Sequence, residues 1–187
     1  MRVLKLQMQV SLDGFVAGPN GEMDWVTWNW DDELKEYVTG LTEPVDLILL
    51  GRKLAEGFIP HWKAAAQHPE TSEAGAVKFH ETPKVVFSKS TDGAEWENTT
   101  VVRGDLAEEV NKLKKQGGSN MIVYGGATLV SQLIQKNLID DYHLFINPAV
   151  LGGGLPIFNG VHSRHHLKLI EARAFSCGIV MLHYQPA

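Results

Sequence analysis

The chain has 187 residues, of which 44% are apolar and 21% charged, as in an ordinary globular protein that can bury a sizeable core. A net charge of −5 with scattered basic residues argues against a nucleic-acid surface, and a single cysteine, Cys177, excludes a disulfide framework and a cysteine-based zinc site. No apolar run reaches membrane-spanning length and the N-terminus lacks a signal-peptide pattern, so we expect one cytoplasmic domain over residues 1–187, without a membrane partner.

Hydrophobic periodicity predicts strands and helices that alternate along the first part of the chain. The predicted elements are a strand at 3–10, a loop at 11–20, a helix from Asp31 or Asp32 to about Leu41, a buried strand at 45–50 and a short helix at 53–58. Residues 64–81 are polar and alanine-rich, and we expect them to be helical in part.

The second part of the chain continues this alternation and ends in strands. Predicted are strands at 84–87 and 100–102, a helix capped by Asp105 and ending near Lys115, the strand and helix around 121–134, and closing strands at 142–150, 167–174 and 179–184. Strands alternating with helices indicate an α/β fold with a mostly parallel sheet covered on both faces. The last two strands, joined by a tight turn, must be antiparallel.

The segment Tyr124-Gly125-Gly126-Ala127 joins a buried strand to a helix through two glycines. Without side chains there, the backbone can approach a ligand closely, and the helix N-terminus directs N–H groups and positive dipole charge toward an anion. The alternative is that the tight turn needs glycine for its geometry alone.

Two other turns have compatible chemistry. Gly51-Arg52-Lys53 and Ser88-Lys89-Ser90 each follow a predicted strand, and their cations and hydroxyl groups suit a phosphate, although such residues are also common as solvated charge. If the strands are parallel, all three turns lie at one edge of the sheet. A diphosphate and a further phosphate, as in NADPH, match this pattern, whereas neither a Walker loop nor a Gly-x-Gly-x-x-Gly fingerprint after the first strand occurs.

Five motifs carry a resemblance that covers nearly the whole chain. They are Ser11-Leu12-Asp13-Gly14, Asp24-Trp25-Val26-Thr27, Leu50-Gly51-Arg52-Lys53, Tyr124-Gly125-Gly126-Ala127, and Leu151-Gly152-Gly153-Gly154 before Pro156-Ile157-Phe158. The chain resembles the dihydrofolate reductase-like superfamily. Within it, the chain is most similar to stand-alone relatives of the reductase domain of the bifunctional riboflavin-synthesis deaminase-reductase.

The resemblance implies an NADPH site. Gly125, Gly126, Ala127 and Thr128 would meet the pyrophosphate. The adenosine end and its 2′-phosphate would lie near the residues of the other two turns, which are Gly51, Arg52, Lys53, Ser88 and Lys89. Val10 and Ala17 match positions that line the nicotinamide. Leu54 replaces a phosphate-binding threonine that is usual in dihydrofolate reductases.

The catalytic acid is open among three carboxylates. Asp32 and Glu33 both match the segment that carries the pterin-binding carboxylate of dihydrofolate reductase, and Asp24 beside Trp25 is a third candidate. The alternative for the aspartates at 31 and 32 is a helix-capping role. Asp13 is interpreted as a turn residue.

Tryptophans are dense near the proposed cleft. Trp25 and Trp28 are candidates for stacking on a flat substrate, with core or lid packing as the alternative for them and for Trp30 and Trp62. The loose spacing of the histidines at 162–166 does not indicate a metal site, and no local histidine partner makes Cys177 a nucleophile.

The sequence thus predicts an NADPH-dependent reductase that acts on a small pyrimidine or pteridine heterocycle. By resemblance, the nearest named reaction is reduction of 5-amino-6-(5-phosphoribosylamino)uracil in riboflavin synthesis. No deaminase zinc motif occurs, so we expect reduction alone. Dihydrofolate reductase activity and non-catalytic nucleotide or pterin binding are the alternatives. The resemblance also implies a homodimer through the closing strands at 142–150 and 167–184.

Overall fold

A computed structural model describes residues 1–68, 75–89 and 96–187; Ser90 and part of the segment at 64–81 lie outside the described residues. The helices are α1 (Asp32–Thr42), α2 (Arg52–Gln67), α3 (Ala76–Glu81), α4 (Leu106–Lys115) and α5 (Ala127–Gln135). The strands are β1 (Leu4–Ser11), β2 (Phe15–Ala17), β3 (Val45–Gly51), β4 (Lys84–Phe87), β5 (Thr99–Val102), β6 (Asn120–Gly125), β7 (Asp141–Asn147), β8 (Leu155–Pro156), β9 (Leu167–Ala174) and β10 (Val180–Pro186). Within these ranges, no helix is both long and apolar enough to cross a membrane.

Eight of the strands form one sheet in the order β5-β4-β3-β6-β1-β7-β10-β9. The neighbours from β5 to β7 are parallel, and β10 runs antiparallel to both β7 and β9. The predicted mostly parallel sheet with an antiparallel C-terminal pair is therefore confirmed.

Helices cover both faces of this sheet. Successive side chains of β3 point to opposite faces, and each face is buried in an apolar layer. Ile48 and Leu50 pack with the α2 residues Ala55 and Ile59. Leu47 and Leu49 point the other way, into the layer that α4 and α5 complete. Helix α1 packs over the C-terminal strands, where Leu34 and Leu41 are buried with Phe145 and Met181.

Two local features differ from the predicted elements. Helix α2 is much longer than the predicted helix at 53–58 and continues through Pro60. Burial of Phe58 and Ile59 against the sheet favours this continuation over the helix-breaking tendency of proline. The short pair β2–β8 was not predicted. It requires Gly154, because a Cβ there would collide with the carbonyl oxygen of Ala17.

Asp13 does more than occupy a turn. Its carboxylate accepts hydrogen bonds from the Ser11 hydroxyl at 2.7 Å, from the Leu151 amide at 3.1 Å and from the Gly152 amide at 2.7 Å. The Ser11 hydroxyl bond is the largest cause of a lowered Asp13 pKa, and the two amides add to it. Asp13 therefore joins the Ser-Leu-Asp-Gly motif to the distant Leu-Gly-Gly-Gly motif.

Lys84 provides a test of stability against pH. Its side chain is 2% exposed, and Nζ donates to the carbonyl oxygens of His80 at 2.8 Å and Thr82 at 2.6 Å. Burial lowers the Lys84 pKa from 10.5 to about 8. Burial of the charged amine lowers the free energy of unfolding. This loss of stability is fully present below pH 8, where Lys84 is charged in both states, and it disappears as the pH rises toward 10.5.

We therefore expect the stability of the wild type, measured relative to Lys84→Met, to rise by about 1 kcal/mol per pH unit above pH 8. Urea unfolding of both proteins at several pH values measures this difference, and the shared tyrosines and other groups cancel in the comparison. A difference that stays constant with pH would contradict the assignment.

Candidate functional site

A cleft of about 1610 Å³ opens at the carboxyl ends of β3, β4 and β6. These strands are parallel neighbours, so the turns that follow them meet at one edge of the sheet. The volume exceeds the roughly 300–1,000 Å³ typical of a pocket for one drug-sized ligand. The residues predicted for a cofactor that line it are Ala17, Gly51, Arg52, Lys53, Ser88, Lys89, Gly125, Gly126, Ala127 and Thr128.

Helices α2 and α5 both begin at this cleft, and neither has a side-chain cap at its N-terminus. Their N-cap residues are Gly51 and Gly126, and neither helix has an acidic residue in its first turn. By contrast, α1 and α4 are capped by the carboxylates of Asp31 and Asp105 and carry acidic residues in their first turns. The two helix ends at the cleft thus keep free N–H groups and uncompensated positive dipole charge, which suits an anion.

Three glycines bring the backbone close together at this point. A Cβ on Gly51 would lie 3.1 Å from the amide nitrogen of Gly126, so glycine permits the close approach of β3 to the next turn. Gly125 has a φ of 139°, which favours glycine, and its peptide bond to Gly126 is cis. A Cβ on Gly126 would meet nothing within 4 Å. The backbone at Gly126 is therefore open to a ligand.

Cationic side chains line the adjoining part of the cleft. Arg52, Lys53 and Lys89 were predicted, and the structure adds Arg103 and Lys136. Arg52 forms an ion pair with Glu56 one helical turn away. Arg103 directly follows β5, so the rule that selected Arg52 and Lys89 at strand ends would also have selected it. Lys136, at the C-terminal end of α5, has no such sequence signal.

Amide and indole side chains line another part of the cleft. Gln7 and Gln9 contribute from β1, whereas Trp28 and Trp30 come from the segment before α1 and lie 6.2 Å apart between ring centroids. The Oε1 atom of Gln7 is buried and has no hydrogen-bond partner among the described residues. Oε1 of Gln9 accepts from Nδ2 of Asn147 at 2.8 Å. Lys35, on α1, also lines this part.

An aromatic cluster forms a further wall of the cleft. Tyr124 stacks on Phe58 with 5.6 Å between ring centroids, and Phe79 contacts Trp62 at 4.5 Å. The Tyr124 hydroxyl is buried without a partner among the described residues, and burial raises its pKa. The sequence indicates Trp62 as a packing residue and Tyr124 as part of the glycine motif, but it does not predict the cluster, which depends on how far α2 and α3 extend.

Several predicted site residues do not line the cleft. Val10 is buried in the apolar layer that α4 and α5 complete, and β1 contributes Gln7, Met8 and Gln9 to the lining instead. Trp25 is also outside the lining, and its indole N–H donates to the carbonyl of Glu22 at 3.1 Å.

The three candidate acids are also outside this lining. The Asp32 side chain is fully exposed and lies 3.3 Å from Lys35 Nζ. Glu33 lies on another face of α1, 3.3 Å from Arg173 of β9. Asp24, in the segment before α1, is exposed. In this structure the three carboxylates thus face solvent or ion-pair partners rather than the cleft.

The neighbouring Asp31 is engaged structurally. One carboxylate oxygen accepts from the Leu34 amide at 2.8 Å, and the other from the Ser176 hydroxyl at 2.8 Å and the Cys177 amide at 3.0 Å. These bonds, led by the Leu34 amide, lower the Asp31 pKa to about 2. Asp31 thus caps α1 and also connects the start of this helix to the turn between β9 and β10.

Comparison with known proteins agrees with this architecture. The RibD C-terminal domain family matches residues 2–181. The uncharacterized protein YyaP of Bacillus subtilis is 36% identical over 187 residues, which cover 98% of this chain and 94% of YyaP.

Two solved structures share the fold at low sequence identity. A diaminohydroxyphosphoribosylaminopyrimidine deaminase/5-amino-6-(5-phosphoribosylamino)uracil reductase from Thermotoga maritima has a TM-score of 0.70 at 18% identity, over 100% of this chain and 57% of that one. Dihydrofolate reductase from Enterococcus faecalis, complexed with NADP(H), has a TM-score of 0.63 at 14% identity, over 98% and 96%. The chain has the dihydrofolate reductase-like fold and belongs to the RibD C-terminal domain family.

Proposed function

We propose that this protein is an NADPH-dependent reductase of a pyrimidine-type heterocycle. One observation carries the proposal. The uncapped N-termini of α2 and α5 lie in the same cleft as the cationic side chains of Arg52, Lys53 and Lys89. The family match and the uracil reductase named for the Thermotoga protein support a reductase of this kind, and the NADP(H) in the Enterococcus enzyme supports the cofactor.

The residues of the cleft fit this cofactor. The backbone from Gly126 to Thr128 would hold the pyrophosphate, because free N–H groups at a helix N-terminus bind anions. Arg52, Lys53 and Lys89 would hold the 2′-phosphate. Bound there, NADPH supplies the hydride, and the protein contributes position and exclusion of water.

The amide-lined part of the cleft supports a heterocyclic substrate. Gln7 offers a buried acceptor that lacks a partner among the described residues, and a ring or amino N–H group would satisfy it. Trp28, which is 61% exposed, offers an indole face on which a flat ring can stack.

The same region favours a pyrimidine reductase over dihydrofolate reductase activity. Among the described residues of the lining, Asp105 is the one carboxylate, and it caps α4 by accepting from the amides of Ala107 and Glu108. The face of α1 that enters the cleft carries Lys35 and Thr39 rather than an acid. The proton is then expected to come from water.

Association into a homodimer through β7, β9 and β10 belongs to the same proposal, since Leu169 and Ile170 of the edge strand β9 are exposed.

Binding and turnover test the proposal in sequence. Tryptophan fluorescence is titrated with NADPH and NADH, and loss of NADPH absorbance is then followed with 5-amino-6-(5-phosphoribosylamino)uracil or dihydrofolate. We expect preferential NADPH binding and turnover with the pyrimidine. Binding without turnover on either substrate would favour a non-catalytic binding protein, turnover on dihydrofolate alone would favour the other reductase, and absence of NADPH binding would refute the cofactor site.

A further inference from the structure

Asp141, His143 and His183 form a side-chain cluster that does not line the cleft. The antiparallel register of β7 and β10 places His143 directly opposite His183, and the two imidazole rings stack with 4.1 Å between centroids. Asp141 precedes His143 by two residues on β7, so its side chain leaves the same face of the sheet. Two regular strands therefore hold all three side chains together.

The hydrogen bonds within this cluster leave two potential ligand atoms without a partner. His183 Nε2 lies 2.8 Å from Asp141 Oδ1, and Gln185 Nε2 donates to that same oxygen at 2.8 Å. His143 Nδ1 lies 3.4 Å from the Tyr37 hydroxyl. Within the described part of the chain, Asp141 Oδ2 and His143 Nε2 have no hydrogen-bond partner.

We propose that Asp141, His143 and His183 bind a divalent transition-metal ion of the zinc class. One ligand atom from each residue lies within 4.8 Å of the other two. Metal–nitrogen and metal–oxygen bonds of about 2.0–2.2 Å require ligand atoms roughly 3–3.5 Å apart. The three side chains must therefore rotate on binding, and the stacked rings of His143 and His183 must tilt until a nitrogen of each points at the same ion. Two imidazoles and one carboxylate favour zinc, cobalt, nickel or copper over calcium or magnesium, with a further position left for water.

The surroundings support the three ligands. Gln185 holds the Asp141 carboxylate and Tyr37 lies against His143, as outer groups do around metal ligands. Lys5 lies near His143 and opposes a cation, although its ammonium group donates to the Leu41 carbonyl at 3.2 Å. Glu171 lies opposite His183 in the register of β9 and β10 and adds negative charge near Tyr37. The His183 and Asp141 side chains retain 16% and 13% exposure, which leaves a route for the ion.

The sequence did not indicate this site because its ligands come from two strands that are 40 residues apart in the chain. The histidines at 162–166, whose loose spacing does not indicate a metal site, lie in a different segment of the chain. Only the strand register brings His183 to His143.

Cobalt binding tests the site without reference to enzymatic activity. Untagged protein freed of metal with a chelator is titrated with Co²⁺, whose visible absorption reports protein ligands, and Zn²⁺ is then used to displace it. We expect a single site in the wild type. Affinity should fall by at least about tenfold in His183→Gln and in Asp141→Asn. The matched control is His162→Gln, which removes a histidine outside the cluster and should bind as the wild type does.

The contrary outcomes are distinct. Absence of Co²⁺ and Zn²⁺ binding by the wild type overturns the proposal. Equal binding by the wild type and His183→Gln, or loss confined to His162→Gln, would place the ion elsewhere and also overturns it. Circular dichroism of the metal-free variants confirms their folding, and Zn²⁺ should raise the Tm of the wild type but not of a folded cluster variant.

Discussion

Gly126→Leu is expected to reduce NADPH affinity by at least about 100-fold while the protein remains folded. The residue caps α5 with φ −75° and ψ 178°, a conformation that any residue adopts. A Cβ there meets nothing within 4 Å, so the added side chain extends into open space without clashing with the core. It would occupy the position that the pyrophosphate needs against the helix N-terminus.

Fluorescence titration with NADPH measures this loss, and thermal unfolding shows whether the fold is retained. The matched control is Gly117→Leu, since Gly117 also has open space around its Cβ but lies outside the cleft lining. The control should bind NADPH as the wild type does. Unchanged affinity in folded Gly126→Leu would exclude the pyrophosphate from this turn.

The main features of the fold were accessible from local sequence because they depend on local periodicity. The buried strand Val45–Gly51 contains a continuous apolar run at 47–50, and Asp105 caps its helix as predicted. The three turns met as expected, since parallel neighbours end at the same edge of a sheet. The direction of the parallel strands was therefore enough to predict that most of the proposed cofactor residues share one cleft.

The residues that sequence reasoning missed depend on register and packing. Gln7 and Gln9 appear as the polar positions of an amphipathic strand, and only the tertiary fold brings them into one cleft with Lys35 and Thr39 of α1. Conversely, Asp32 and Glu33 match a catalytic segment by resemblance, yet the start of α1 directs them to solvent and to Arg173. Side-chain direction at a helix terminus depends on tertiary contacts, such as that of Asp31 with the β9–β10 turn.

Arg52→Ala is expected to weaken NADPH binding by about 30-fold while changing NADH binding by less than about threefold. Arg52 lies at the first position of α2 and lines the cleft. Its guanidinium can form paired hydrogen bonds with a phosphate, and only NADPH has the 2′-phosphate. Lys53 and Lys89 also line this region, so the loss should be partial rather than complete.

Glu56→Gln provides the matched variant for this prediction, because Glu56 forms the ion pair that Arg52 would have to leave. Removing the carboxylate charge frees the guanidinium for the ligand, so NADPH binding should be unchanged or tighter, and NADH binding unaffected. Parallel titrations of the wild type and both variants with the two nucleotides measure the ratio of affinities directly. Equal losses of NADPH and NADH in Arg52→Ala would remove Arg52 from the 2′-phosphate site and assign it to contacts that both cofactors share.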